Sequence, residues 1–203
     1  MNMNLGRRQF FEKAGKGALG TALTLAVAGS EVFVLEGCNV LDELTTWVPI
    51  GLAAFDGVAS FIPGFSIAAG VIDKLWASLS LAIANYQHTT DPTTTLLDKV
   101  IAAMDALQSG LTDTLAALPV GISAAVLAAT KFAFGLILST LKKIQAKLEP
   151  LTTTPPPVVT PALKTARMAA IGGVPPAKDN NDFVKRINAN MAQNGLALRL
   201  KLK

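Results

Sequence analysis

Residues able to do covalent or metal chemistry are scarce in this chain. His88 is its only histidine and Cys38 its only cysteine, so any Ser-His or Cys-His couple must use one imidazole. The surroundings of that imidazole, Tyr86 to Asp91, are polar and read as a turn, the setting of a solvated histidine. A zinc site wants several His or Cys ligands, and no Glu-x-x-His pair of the di-iron bundle type occurs. Carboxylates are the remaining route. Asp98 and Asp105 stand seven apart, and Asp105 and Asp113 eight apart, which on a helix is roughly 10–12 Å along one face. That is too far to share a proton, and the three read as a solvated acidic face. Neither a Walker loop nor a dinucleotide fingerprint occurs, since Gly172-Gly173 lacks a following lysine and a strand-to-helix setting. The expectation is no catalytic residue, no metal site and no cofactor.

Chemistry done to the chain, rather than by it, is better signposted. Arg7-Arg8-Gln9-Phe10-Phe11, with Lys13 shortly after, precedes a mild apolar run from Ala14 to Ala28 that is rich in Gly, Ala and Thr. Positive start, apolar helix and small residues are the parts of a signal peptide. The arginine pair, the aromatic and the weak apolar run together resemble the bacterial twin-arginine signal. Gly6 stands where that pattern usually has Ser or Thr, and Glu12 places the lysine one position late. The resemblance covers the leader, residues 1–37. It implies recognition of Arg7, Arg8, Phe10 and Phe11 by the twin-arginine export machinery and passage to the periplasm in a folded state.

Two processing points compete. Ala26-Val27-Ala28 has the small-x-small form that ends in cleavage after Ala28. Leu35-Glu36-Gly37-Cys38 resembles a lipobox, with Glu36 where a small or apolar residue is usual. That resemblance implies acylation of Cys38 and a lipid-anchored protein. A small buried thiol is the alternative reading of the same residue.

The elements behind the leader are helical by period. Leu41, Leu44, Val48, Leu52, Phe55, Ala59 and Ile62 step by three and four, one face of an α-helix. Pro49 predicts a kink or a fresh start inside it, and Pro63-Gly64 ends it. Ala68, Ile72, Leu75, Leu79, Ile83 and Tyr86 predict a second helix from about Phe65 to Gln87, with Trp76 widening its apolar face. Asp91-Pro92 predicts the start of a third, which carries Leu97, Ile101, Met104, Leu107, Leu111, Leu115 and Leu118 and stops at Pro119. A fourth runs from about Gly121 to Leu148 through Phe134, Ile137, Leu141, Ile144 and Leu148. Lys142, Lys143 and Lys147 suit the dipole at its end. The fold class expected is all-α, an up-down bundle of about four helices over residues 38–150.

Residues 151–178 read as a Pro/Thr-rich linker, since TTTPPPVVTP favours an extended polyproline form. A short helical piece is expected within it, around Lys164 to Ala170. The tail, residues 179–203, carries a weak amphipathic helix from Asp182 to Gln193 with Phe183, Ile187 and Met191 on one side. The final eight residues alternate. Leu196, Leu198, Leu200 and Leu202 face one way, and Arg199, Lys201 and Lys203 with Ala197 the other, a period of two that predicts a strand. No partner strand is in sight and a lone strand is unstable, so these seven leucines and cations form a candidate partner-binding tail.

Apolar residues make up 51% of the 203 and charged ones 16%, against about 25% charged in an average domain. Between Cys38 and Pro150 six Lys/Arg face nine Asp/Glu, while from Leu151 to Lys203 eight face two. The body is acidic and the tail basic. On an exported protein such a tail suits membrane lipid or an envelope protein better than nucleic acid. Ile122 to Leu141 is long enough to span a bilayer, but Lys131 at its centre would cost about 3 kcal/mol there. Burial in a bundle with Lys131 reaching the surface is the better expectation. The reading is an exported, non-enzymatic helical scaffold or accessory protein at the outer side of a bacterial inner membrane. The alternative is a membrane-inserting or pore-forming helical protein.

Overall fold

The computed structural model describes residues 31–88, 94–152 and 160–201, and only the backbone of residues 31–38 and Thr94. These residues form six α-helices: α1 Glu31–Ala59, α2 Ser66–Gln87, α3 Thr94–Ala116, α4 Ala124–Leu148, α5 Pro161–Ile171 and α6 Asn180–Gln193. A 3₁₀ turn, Glu149–Leu151, extends α4. No strand occurs among the described residues. The all-α expectation holds. Beyond the four helices that begin before residue 150, the described residues hold two more, where short helices were expected, and both pack on the others; the strand expected at the C-terminus is irregular over residues 196–201. The leader and residues 153–159 of the expected linker lie outside the described residues, as does the Asp91-Pro92 start signal.

α4 is the centre. Every residue from Ala133 to Leu141 is buried, which requires neighbours on all sides of the helix. Its apolar length meets that requirement in the bundle, and Lys131 is exposed as its charge demands. α1 presents Leu41, Leu44, Trp47, Val48, Phe55 and Val58 to the core. The helix runs unbroken through Pro49, where a kink or restart was expected. Pro49 and Thr45, whose carbonyl loses its usual donor, are both exposed, so water can replace the missing bond. α2 buries Ile72, Trp76, Leu79, Ile83 and Tyr86. Its outer side leaves Ile67, Val71 and Leu81 exposed. By length and composition alone α2 and α4 could each cross a membrane, but 61% of the apolar window of α4 is buried and 22% of that of α2.

Neighbouring helices run antiparallel. Gln87 at the end of α2 reaches Asp42 and Thr45 near the start of α1, while Phe55 lies 6.2 Å from Phe65 at the other end. Gln108 of α3 donates to Gln145 of α4. Trp47 stacks at 5.7 Å on Trp76 and at 5.5 Å, edge-on, against Phe183 of α6. That trio ties α1, α2 and α6 into one core.

The segment expected to be a linker carries α5, and α5 has a built start and stop. The Thr160 hydroxyl accepts from Leu163 N–H, Pro161 takes the first turn, and Gly172 closes the helix at φ 58°, a left-handed position where glycine costs least. α6 begins two residues before the expected Asp182, because Asp179 caps it by accepting from Asp182 N–H at 2.8 Å. The tail helix and the leucines behind it fold back on the bundle. Leu196, Leu198 and Leu200 are half-buried against the core.

Candidate interaction surface

The export residues Arg7, Arg8, Phe10 and Phe11 lie outside the described residues. Cys38 belongs to α1, and of it only the backbone is described. His88 is exposed in the turn after α2. No group of three His, Cys, Asp or Glu side chains among the described residues is placed to hold a metal.

Of the three aspartates on α3, Asp113 is exposed and Asp105 is drawn into a polar network that no spacing in the sequence points to. Arg167 of α5 donates to Asp105 Oδ1 at 3.0 Å, to the Asp105 carbonyl at 2.9 Å and to Ser109 Oγ at 2.7 Å. Gln145 Nε2 reaches Asp105 Oδ1 at 3.4 Å and Glu149 Oε1 at 3.2 Å, and its carbonyl accepts from Gln108. The Arg167 and Asp105 side chains are only 13% and 14% exposed. Asp105 Oδ2 and Arg167 Nε are buried without a hydrogen-bond partner among the described residues. Three bonds from one arginine onto one turn of α3 make a clamp that fastens α5 to the bundle.

The residues of the candidate tail divide. Leu198 packs on α1 at Gly57, where a Cβ would come within 2.5 Å of Leu198 Cδ1. Leu200 is held by the Asn188 side chain of α6: its N–H donates to Asn188 Oδ1 at 2.7 Å, and its carbonyl accepts from Asn188 Nδ2 at 3.0 Å. That amide does for Leu200 what a neighbouring strand would. Leu196 N–H bonds the Met191 carbonyl at 2.9 Å. Arg199 and Lys201 are exposed, while Leu202 and Lys203 lie outside the described residues. The expectation of a segment ordered only by a partner is corrected for Leu196, Leu198 and Leu200, whose partners are α1 and α6. Its exposed cations remain available.

Beside the C-terminus of α5 lies a groove of about 350 Å³, lined by Leu115, Phe132, Ala170, Ile171 and Val174 with Lys131 at its side. The side chain of Lys131 is the one polar side chain the lining offers.

The least ordinary surface is one end of the bundle. Gly57 to Ile72 and Thr114 to Thr130 contain no charged residue and no histidine. The antiparallel packing brings these two stretches to the same end, since Gly110 of α3 faces Ile72 and Leu75 of α2. There Val120 is fully exposed at 105%, Ile67 is 83% exposed and Val71 52%. The opposite end is crowded with charge. Lys147 pairs with Glu43, and Lys143 bonds the Ala177 and Lys178 carbonyls at 3.0 and 3.1 Å, whereas Arg186, paired with Asp182 at 3.7 Å, lies over the Phe132 ring nearer the start of α4. Sequence reading passed over this polarity, although two charge-free windows of that length were legible. What it lacked was the pairing of helix ends. Comparison with family models, with curated proteins and with solved structures finds no match for this chain.

Proposed function

We propose that the chain is an exported, non-enzymatic helical protein that works as a scaffold or accessory subunit on the outer side of a bacterial inner membrane, attaching by the uncharged end of its bundle. The observation that carries this reading is the absence of charge from Gly57 to Ile72 and from Thr114 to Thr130, two stretches that leave Val120, Ile67 and Val71 exposed at one end of the bundle. Isolated exposed apolar residues are ordinary, whereas two that are nearly or fully exposed at one uncharged end suggest a contact surface. The export half of the reading rests on the twin-arginine resemblance of Arg7 and Arg8. Replacing both by lysine keeps the charge and removes the guanidinium pair, so Arg7→Lys with Arg8→Lys is expected to strand the protein in the cytoplasm. Unchanged export of that variant in cells whose general secretion route is blocked would overturn the assignment.

A second reading, helices that span the bilayer, is favoured by one feature. The apolar window of α2 is only 22% buried. The two readings part on alkaline carbonate washing of membranes. A bundle attached by its end is released, and an integral helix pair stays.

A further inference from the structure

We propose that the surface met by the uncharged end is the lipid bilayer itself, with loops 60–65 and 117–123 wedged into the boundary between headgroups and acyl chains. This rests on the reading of the protein as one that attaches by that end. At the chain's overall content of 16% charged residues, the 33 positions of Gly57 to Ile72 and Thr114 to Thr130 would carry about five charges, and they carry none. Protein interfaces tolerate charge at their rims, whereas the acyl region of a bilayer does not.

The backbone of the first loop makes the same point independently. Groups entering an acyl layer must find their hydrogen bonds within the protein. Ser60, Phe61, Ile62 and Phe65 donate to the carbonyls of Asp56, Val58, Ala59 and Ile62 at 3.0–3.3 Å, the Ser60 hydroxyl donates to the Gly57 carbonyl at 2.7 Å, and Pro63 has no N–H to satisfy. In the second loop Ala117 N–H bonds the Asp113 carbonyl at 2.9 Å and Pro119 has no donor, but the N–H groups of Leu118, Val120, Gly121 and Ser123 find no carbonyl among the described residues, so the first loop meets this requirement more fully than the second. Val120 projects between Pro119 and Gly121, which sits at φ 97°.

A second copy of the chain is the weaker occupant. A stable dimer buries about 800 Å² on each partner, far more than three exposed side chains on a projecting end supply. A fluid acyl layer needs only a wedge. The charges at the margin of the uncharged stretches are mixed: Lys74, Lys131 and Arg199, the last beside Leu198 on Gly57, are exposed, Arg186 lies over Phe132, and Asp56, Asp73 and Asp113 flank the same stretches. The wedge itself is apolar, so its insertion does not require anionic lipid.

The test uses the full chain with vesicles of zwitterionic phosphatidylcholine. In a Cys38→Ser background, single cysteines at Val120, at Ile67 and, as a control on the charged side, at exposed Ala146 are labelled with an environment-sensitive fluorophore. The expected result is a blue shift and quenching by a nitroxide carried on the acyl chain for the labels at 120 and 67, and neither for 146. The shift should survive 0.5 M salt and the absence of anionic lipid, to within about twofold in the partition constant. Ile67→Asp with Val120→Asp should lower partitioning at least tenfold with an unchanged melting temperature, since both side chains lie in water in the free protein. Labels at 67 and 120 that stay unquenched while the protein sediments with vesicles would overturn the bilayer assignment but leave end-on attachment open to a protein partner. A doubled mass in light scattering that Val120→Asp abolishes would instead assign the end to a second copy. Vesicle binding that the double aspartate variant leaves intact would refute attachment by this end altogether.

Discussion

Adding one methyl group to each of two helical glycines should shift stability in opposite directions. Within a helix, alanine is favoured over glycine by about 0.8–1 kcal/mol, so both Gly70→Ala and Gly135→Ala begin with that gain. At Gly70 of α2 a Cβ meets nothing within 4 Å, and the gain stands. At Gly135 of α4 the Cβ would lie 2.7 Å from the Ile171 carbonyl oxygen, 3.1 Å from Val174 Cγ2 and 3.3 Å from the Ile171 carbonyl carbon. Two of those three atoms are backbone at the end of α5, which cannot rotate aside as a side chain can. α5 is also held by Arg167, one turn before Ile171, so relieving the clash means moving a clamped helix. Overpacking of this kind costs about 1–3 kcal/mol, which leaves Gly135→Ala between about neutral and 2 kcal/mol less stable than the parent.

The difference between the two variants isolates the clash, because the propensity term is common to both. With about 2–4 °C per kcal/mol for a chain of this size, the two melting temperatures should separate by roughly 2–12 °C, Gly70→Ala above the parent and Gly135→Ala at or below it. Reversible urea unfolding of the three proteins followed by circular dichroism reads the same difference as a shift in midpoint at constant slope. If Gly135→Ala gained as much as Gly70→Ala, α5 could not lie against α4 at this distance, and the fold of residues 161–174 onto the bundle would be refuted.

Two further outcomes follow from the same packing. Arg167→Ala leaves the carboxylate of Asp105, 14% exposed, without its cation, and should destabilise by about 2–3 kcal/mol, below the 3–5 of a fully buried pair. Arg167→Met combined with Asp105→Leu should recover most of the loss in a double-mutant cycle, and a single variant within about 0.5 kcal/mol of the parent would show that the clamp contributes nothing. Removing residues 196–203 strips three half-buried leucines at about 1 kcal/mol each and leaves the Asn188 amide to water, so the melting temperature should fall by roughly 6–12 °C; an unchanged value would return these leucines to an external partner.

What the sequence made legible was the set of contacts that repeat. The steps of three and four through Ile72, Leu79 and Ile83, or through Leu97, Met104 and Leu111, mark buried faces whatever those faces meet. What it left illegible were contacts made once. Gln108 and Gln145 are ordinary polar residues 37 positions apart until two antiparallel helices set their amides together. Arg167 sits among prolines and glycines that read as a linker, and only its three bonds to α3 show why α5 is a helix of the bundle. Over residues 196–201 the alternation separates half-buried Leu196, Leu198 and Leu200 from exposed Ala197, Arg199 and Lys201. The inference of a strand failed because the Asn188 amide, on a helix, offers both halves of a peptide's hydrogen bonding and makes a neighbouring strand unnecessary.

The position of Cys38 constrains how the two membrane proposals combine. It lies in α1, 21 residues before Ala59, which is about 30 Å of helix, while the uncharged end begins at Gly57. An acyl chain on Cys38 would therefore enter a bilayer from the charged side of the bundle, with the uncharged end about 30 Å away and facing out of that leaflet. A single flat membrane cannot take both attachments with the bundle upright. The proposals are compatible in two ways: cleavage after Ala28 with attachment by the uncharged end, or acylation of Cys38 with the uncharged end presented to a second surface. The two alternatives differ in one measurable respect. In the first, Cys38→Ala leaves acyl-chain quenching of the label at Val120 unchanged in isolated inner membranes. In the second there is no such quenching in those membranes before the substitution, because the label stands a bundle's length away from the leaflet that holds the anchor.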